Sequence, residues 1–239
     1  LHLLSRRQRQ MCIRDRNDLS DPAIDVYDNA MFIIALDYLL EMAPDSPQAS
    51  RWKSLREGIE RNVRAHLWDV KRQKFIPHIY PEKSPIPEGF DELAIHYHGG
   101  TAIAIEAGLL SEDEIRTVNA QMLENVRLSG MPSIGLTLYP VYPDGFFHGG
   151  MSKAYLYQNG GDWTWFGGRM IQQLVVNGMV EEAYAEIHPM IERVIQNDGF
   201  YEWYGKGGVP SGSGNFKGSA GVLSKAIELL RDWAEKNKS

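Results

Sequence analysis

Residues 157–177 read YQNGGDWTWFGGRMIQQLVVN. Four glycines, an asparagine, an aspartate and two tryptophans crowd the first thirteen positions, and an apolar run at helical spacing follows at once. A glycine inside a helix costs roughly 1 kcal/mol relative to alanine. Gly167 and Gly168 therefore need a compensating reason, and close packing of a buried helix supplies one. Gly160 and Gly161, just before the run, read as a place where backbone approaches a ligand. The tryptophans and polar groups around them suit a wall for a sugar ring as well as a packing joint.

Outward from this stretch the chain reads as helices. Apolar residues recur at a period near 3.6 and not in alternation. Helices are expected at about 25–43, 48–67, 91–108, 111–126, 162–177, 180–197 and 218–236. Gly108 is a fitting stop for the third. Ser111 with Glu114 three residues on forms a capping-box pattern for the fourth. The connection after the second helix, LWDVKRQKFIPHIYPEKSPIPEGF, is proline-rich with room for a short hairpin. MPSIGLTLYPVYPDGFFHGG and DGFYEWYGKGGVPSGSGNFKG fill two further long connections.

The alternation is what decides the architecture. Connections run short, long, short, long, short, long. Helices one, three, five and seven are apolar and rich in glycine or alanine, and two, four and six are amphipathic. Odd helices start roughly 60–70 residues apart, a degenerate internal repeat. Antiparallel hairpins closed by short turns place every long loop at the opposite end. This predicts an all-α partial (α/α)6 toroid of about seven helices, odd helices inside, with the long loops on one face. A plain α-solenoid is the alternative, but it has no need of long aromatic loops on one side.

Composition bounds the function. The 239 residues are 43% hydrophobic with a net charge of −6. The acidic balance argues against nucleic acid as the main partner. No apolar run approaches the 18 residues or so of a membrane span. The lone Cys12 excludes an internal disulfide framework. Residues 1–16, LHLLSRRQRQMCIRDR, carry five arginines and one acid. They resemble translated sequencing-adapter sequence and are set aside, which leaves 17–239 as the domain. Beyond them, 20 basic residues face 30 acidic ones. The reading leans to the cytoplasm without fixing a compartment, because a leader would lie upstream.

The candidate chemistry collects on the loop-bearing face, where rigid scaffolds hold functional groups. Asp25 and Asp28 open the first helix, where acids are also favoured by the dipole. Asp28-Asn29 leads straight into AMFIIAL, a setting in which a carboxyl group can hold its proton. Asp91, His96 and His98 lie near the start of the third helix. Alternate helical residues point apart, so the histidines make a poor chelating pair. His66, His78, His148 and His188 show no metal spacing. Asn159, Asp162, Trp163 and Trp165 open the fifth helix. Glu202 sits among Tyr201, Trp203 and Tyr204, as a loop acid or as a base beside sugar-stacking rings. SGSGN, between Pro210 and Phe216, reads as a loop or a lid. The glycine clusters lack the strand and lysine-serine pattern of a phosphate loop.

YQNGGDWTWFGGRM (157–170) and DGFYEWYGKGGVPSGSGNFKGSAG (198–221) resemble the six-hairpin (α/α)6 glycoside hydrolases. The likeness is to the debranching-enzyme, trehalase and α-glucosidase-like branch, including mannosylglycerate-hydrolase-type domains, and spans about residues 20–235. It implies that the chain is the C-terminal half of such a toroid, its own N-terminal half being a missing partner. It implies an inverting mechanism with an acid at the start of the sixth helix and a base between the last two. Counting back, these are Asp28 and Glu202, with Asp25 a rival for the acid. Inverting enzymes hold the two carboxyls roughly 6.5–9.5 Å apart. Trp163, Trp165 and Trp203 would face sugar rings. Asn159, Asp162 and Arg169 would bond hydroxyls, with His98, Tyr201 and Asp25 nearby. Neither metal nor organic cofactor is implied, and the partner is a carbohydrate. Three rivals remain. A toroid sugar epimerase would use His96, His98 and His148. A glycoside phosphorylase would need a phosphate pocket. A non-catalytic carbohydrate-binding half-toroid would keep the tryptophans alone.

Overall fold

The computed structural model describes residues 22–147 and 149–237. Residues 1–16, read above as foreign, and His148 lie outside the described residues. The described chain forms seven α-helices with two two-stranded hairpins in the loops. No described helix is long and apolar enough to cross a membrane.

Local chemistry explains the boundaries. α1 (Val26–Met42) begins at Asp25, whose Oδ1 accepts from the Asp28 amide at 2.8 Å. This satisfies one of the orphan donors of a helix start. α2 (Ala49–His66) buries only Gly58, Ile59 and Val63 on one side. The strands β1 (Trp68–Asp69) and β2 (Lys74–Phe75) then form the short hairpin for which the long connection had room. Asp69 Oδ1 accepts from the amides of Lys71 and Arg72 and shapes its turn. α4 (Glu112–Ser129) carries the expected capping box on Ser111 and Glu114. It runs a turn further than expected and stops at Gly130, whose φ of 69° lies in the left-handed region. α5 (Thr164–Val176), α6 (Val180–Gln196) and α7 (Lys217–Lys236) fall close to their expected limits.

α3 (His98–Glu106) is the exception, starting seven residues later than the periodicity of 91–108 implies. A single 3-10 turn spans Glu92–Ala94, and the chain is then drawn out. The cause is tertiary. The His96 amide donates to Tyr139 O at 2.7 Å, and the Tyr139 amide returns to His96 O at 3.1 Å. A two-bond bridge to the next long loop holds this residue extended.

The layers follow the expected order. α1, α3, α5 and α7 lie side by side as the inner row, and α2, α4 and α6 each back their hairpin partner. Within the inner row α3 is apolar all round, with eight residues from His98 to Ile105 buried, whereas α7 is amphipathic, contrary to the expectation for an odd helix, and buries only Ser219, Val222, Leu223 and Ala226. The core runs through Ile33, Ile103, Met170, Ile171, Leu174 and Leu223. Each such side chain stabilises by about 1.5–3 kcal/mol on burial. Gly167 and Gly168 do what the packing reading asks. A Cβ on Gly168 would sit 2.9 Å from Val222 of α7, and one on Gly167 would sit 2.8 Å from Met190 of α6.

The long loops are stitched to one another on a single face. Ile24, before α1, bridges Ile79; His96 bridges Tyr139; Leu136 and Tyr204 both bridge Asp162. That layer fixes the loop ends relative to the inner helix starts.

Candidate active site

Asp28 stands in the first turn of α1 and is half-buried. Beside it Tyr27 meets Phe166 edge-on, with centroids 6.1 Å apart. Phe166 meets Trp163 at 6.3 Å, Trp163 meets Tyr157 at 4.9 Å, and Tyr157 meets Trp203 at 6.3 Å. The next residue back along the chain is Glu202, also half-buried. An unbroken run of aromatic rings thus leads from the residue next to Asp28 to the residue next to Glu202. Tyr27, Tyr157, Trp165, Trp203 and Phe216 are partly exposed rings resting on the core, with Tyr97 beside them. Such rings offer flat apolar faces with polar rims.

Glu202 is held by the β3–β4 hairpin. β3 (Trp203–Tyr204) pairs with β4 (Pro210–Ser211), Trp203 opposite Ser211. The Glu202 amide donates to Ser213 O at 3.0 Å, and the Ser213 amide reaches Glu202 Oε2 at 3.5 Å. Tyr201 is half-buried, its ring 6.1 Å from Tyr204.

Four of the expected sugar contacts are instead inside the protein. Asn159 is fully buried. Its Oδ1 accepts from the Tyr142 amide at 2.9 Å, and its Nδ2 donates to Tyr142 O at 3.1 Å. Asp162 is fully buried too. Ser133 Oγ lies 2.9 and 2.7 Å from its two oxygens, and Arg193 pairs with it at 2.7 Å. Arg193 also donates to Thr164 Oγ1 at 2.6 Å and lies 4.1 Å over the Tyr204 ring. Trp163 is 5% exposed and donates Nε1–H to Tyr157 O at 3.1 Å. His98 is buried with its Nε2 2.9 Å from Asn125 Nδ2. Burial, with the nearby His96 and Lys74, pulls its pKa down to about 3. His96, its stacked neighbour, is pulled to about 4 by burial and Lys74, with Gln121 opposing. These groups hold loops to helices, because a buried polar group must be bonded within the protein.

Two further expectations change. Arg169 is paired with Glu106 of α3 and stacks 4.3 Å over Trp165, so it braces α3 to α5 and backs that ring. Gly160 and Gly161 serve protein packing. A Cβ at Gly160 would collide with the Val141 side chain, and one at Gly161 with Tyr157 O. Asp25 spends an oxygen on capping α1.

Sequence reasoning missed a second acid. Glu92 Oε1 accepts from the hydroxyls of Tyr80 at 2.8 Å and Tyr142 at 2.5 Å, and His78 Nδ1 lies 2.9 Å away. Burial opposes its charge, but the bonds from His78, Tyr142 and Tyr80 win and hold it below the ordinary carboxylate range. Its partners lie up to 50 residues away, so no local signal marks it. Tyr27 and Tyr157 were legible only as neighbours of residues already singled out. Among the described residues no group of three His, Cys, Asp or Glu could hold a metal ion.

Helices and loop layer together form an all-α partial toroid. No family model matches the chain, and no curated relative does. The particular likenesses are to solved structures. An uncharacterized conserved protein from Thermus thermophilus matches with a TM-score of 0.62 at 16% identity, over 90% of this chain and 48% of that one. A GH63 mannosylglycerate hydrolase from the same organism, in complex with glucose, matches at 0.62 and 16%, over 90% and 46%. A sialidase matches at 0.55 and 11%, over 79% and 17%. The chain thus spans about half the length of the Thermus structures, and at these identities the likeness is one of fold.

Proposed function

We propose that the chain is the C-terminal portion, residues 17–239, of an inverting six-hairpin glycoside hydrolase acting on α-glucoside- or α-mannoside-like oligosaccharides. Asp28 donates a proton to the glycosidic oxygen, and Glu202 takes one from the attacking water on the opposite face of the ring. One observation carries the reading. Asp28 and Glu202 are the chain neighbours of the two end rings, Tyr27 and Trp203, and stay half-buried, while Asp162, Asn159 and His98 are sealed in. Half-buried acids can meet water and sugar; buried ones bonded within the protein cannot. Trp165, Trp203 and Tyr201 are the remaining expected substrate contacts, joined by Tyr27, Tyr157 and Phe216.

The epimerase reading loses support from the same geometry. His98 is sealed, and burial keeps both it and His96 neutral far below pH 7. The test is hydrolysis of α-glucosides, α-mannosides and trehalose, by the chain alone and by the chain extended with its upstream coding sequence. Proton NMR would follow the first-formed anomer. Inversion is expected. A retained anomer, or full activity in both Asp28→Asn and Glu202→Gln, would sink the proposal.

A further inference from the structure

We infer that Gly212 is a positioning residue for Glu202: its bare backbone is the surface on which the Glu202 carboxylate rests. The inference builds on the reading of Glu202 as general base. Gly212 lies just past β4, on the turn of chain opposite Glu202. A Cβ placed on it would stand 2.5 Å from Glu202 Oε2, 2.7 Å from Glu202 Cβ and 3.2 Å from Glu202 Cδ. Non-bonded carbon atoms do not approach so closely. The carboxylate, at the flexible end, would swing away; Glu202 Cβ could yield only if β3 shifted with it. With glycine present the carboxylate lies along the backbone, within 3.5 Å of the Ser213 amide. The next residue thereby supplies a donor to the same oxygen.

Packing of the core does not account for this glycine, because Gly212 is exposed. Its φ of 71° is a second reason for glycine, and the two reasons separate experimentally. Asparagine tolerates the left-handed region far better than alanine does, yet it carries the same Cβ. If backbone strain were the whole story, Gly212→Asn would behave almost as glycine. If the carboxylate needs the empty space, Gly212→Asn and Gly212→Ala fail alike. The segment SGSGN is then neither plain loop nor lid, but the seat of the base. A misplacement of about 1 Å at a catalytic group is enough for roughly a 100-fold loss.

The experiment compares wild type, Gly212→Ala, Gly212→Asn and, as a control for backbone strain alone, Gly178→Ala, where φ is 76° and a Cβ would meet nothing within 4 Å. The carbon-13 resonance of the Glu202 carboxyl is read by NMR, with kcat and KM measured on the accepted glycoside. Expected is a moved Glu202 resonance in both Gly212 variants. With it goes a kcat lower by about 10- to 100-fold at a KM within about twofold, and Gly178→Ala leaves kcat and the Glu202 resonance at wild-type values. A Glu202 resonance and kcat restored to wild type in Gly212→Asn would overturn the inference. A moved resonance in a wild-type background that hydrolyses nothing would leave Gly212 as the seat of Glu202 and remove the hydrolase reading instead.

Discussion

Asp162 and Glu202 are joined through one short backbone ladder, and they do opposite things. Asp162 exchanges two hydrogen bonds with Tyr204, at 2.9 and 2.8 Å, two residues beyond Glu202. Its own carboxylate is fully buried, bonded by Ser133 and ion-paired with Arg193. Glu202 is half-buried and has one long hydrogen bond, from the Ser213 amide at 3.5 Å. The first is bonded inside the protein, away from water, and with the Tyr204 backbone bonds it ties the α4–α5 and α6–α7 loops to the start of α5. The second keeps capacity for water. The lesson is that an acid beside tryptophans is not thereby catalytic; what matters is whether the protein has already used its oxygens.

The largest effect should come from the two half-buried acids, Asp28 and Glu202. Glu202→Gln and Asp28→Asn are each expected to lower kcat by about 10²–10⁴, the range for lost acid–base catalysis. Stability in urea should change by less than about 1 kcal/mol, as for surface substitutions in general. A variant that unfolds instead would move its residue to the structural side of the comparison.

Asp162→Asn should show the reverse. It leaves the 5%-exposed Arg193 without its counter-charge. Breaking a buried pair from one side costs about 3–5 kcal/mol, readable as a lowered midpoint in urea. Replacing both partners with apolar residues should cost less than the single change. If Asp162→Asn kept its stability and lost only activity, the two acids would belong to one class after all.

A third acid sharpens the contrast by pH. Glu186 of α6 is 7% exposed, accepts one bond from Asn119 of α4 at 2.8 Å, and leaves Oε2 without a partner among the described residues. Burial, with Asn119 opposing and Glu182 adding, pushes its pKa up from 4.5 to about 7. The folded state therefore favours the proton. This stability is full below pH 4.5 and is lost as pH rises through 7. At about 1.4 kcal/mol per pKa unit the swing is about 3 kcal/mol. Glu186→Gln should flatten the profile between those values and raise stability at about pH 8. An unchanged slope in urea titrations from about pH 4 to 8 would show that Glu186 is hydrated.

The smallest effect serves as a reference far from either acid. Ser111→Ala removes the cap of α4 and should cost about 1 kcal/mol, with kcat unchanged.

The helices were legible because periodicity and caps are local. Asp25, the Ser111–Glu114 box and the apolar stripes sit within a few residues of the ends they specify. α3 was misread at its start because Tyr139, which holds His96 extended, lies in another loop. The same cause governs the site. Asn159, Asp162 and His98 look like surface polar groups in one dimension. Their partners, Tyr142, Ser133, Arg193 and Asn125, are distant in sequence, so their burial was invisible. Asp28 and Glu202 are proposed through resemblance and helix counting. Tyr27 and Tyr157 carry no local signal beyond standing next to residues already singled out. Gly212 could not be read at all, since its reason is the position of one carboxylate.

The division of labour between Asp28 and Glu202 is tested most directly by leaving-group dependence. Hydrolysis of an alkyl glycoside and of the matching dinitrophenyl glycoside is compared in Asp28→Asn and Glu202→Gln. A dinitrophenolate departs without protonation, so Asp28→Asn should lose most activity on the alkyl substrate and keep it on the aryl one. Glu202→Gln should fail on both, because water must still be activated. Equal losses on both substrates in Asp28→Asn, or recovery on the aryl substrate in Glu202→Gln, would contradict the assignment.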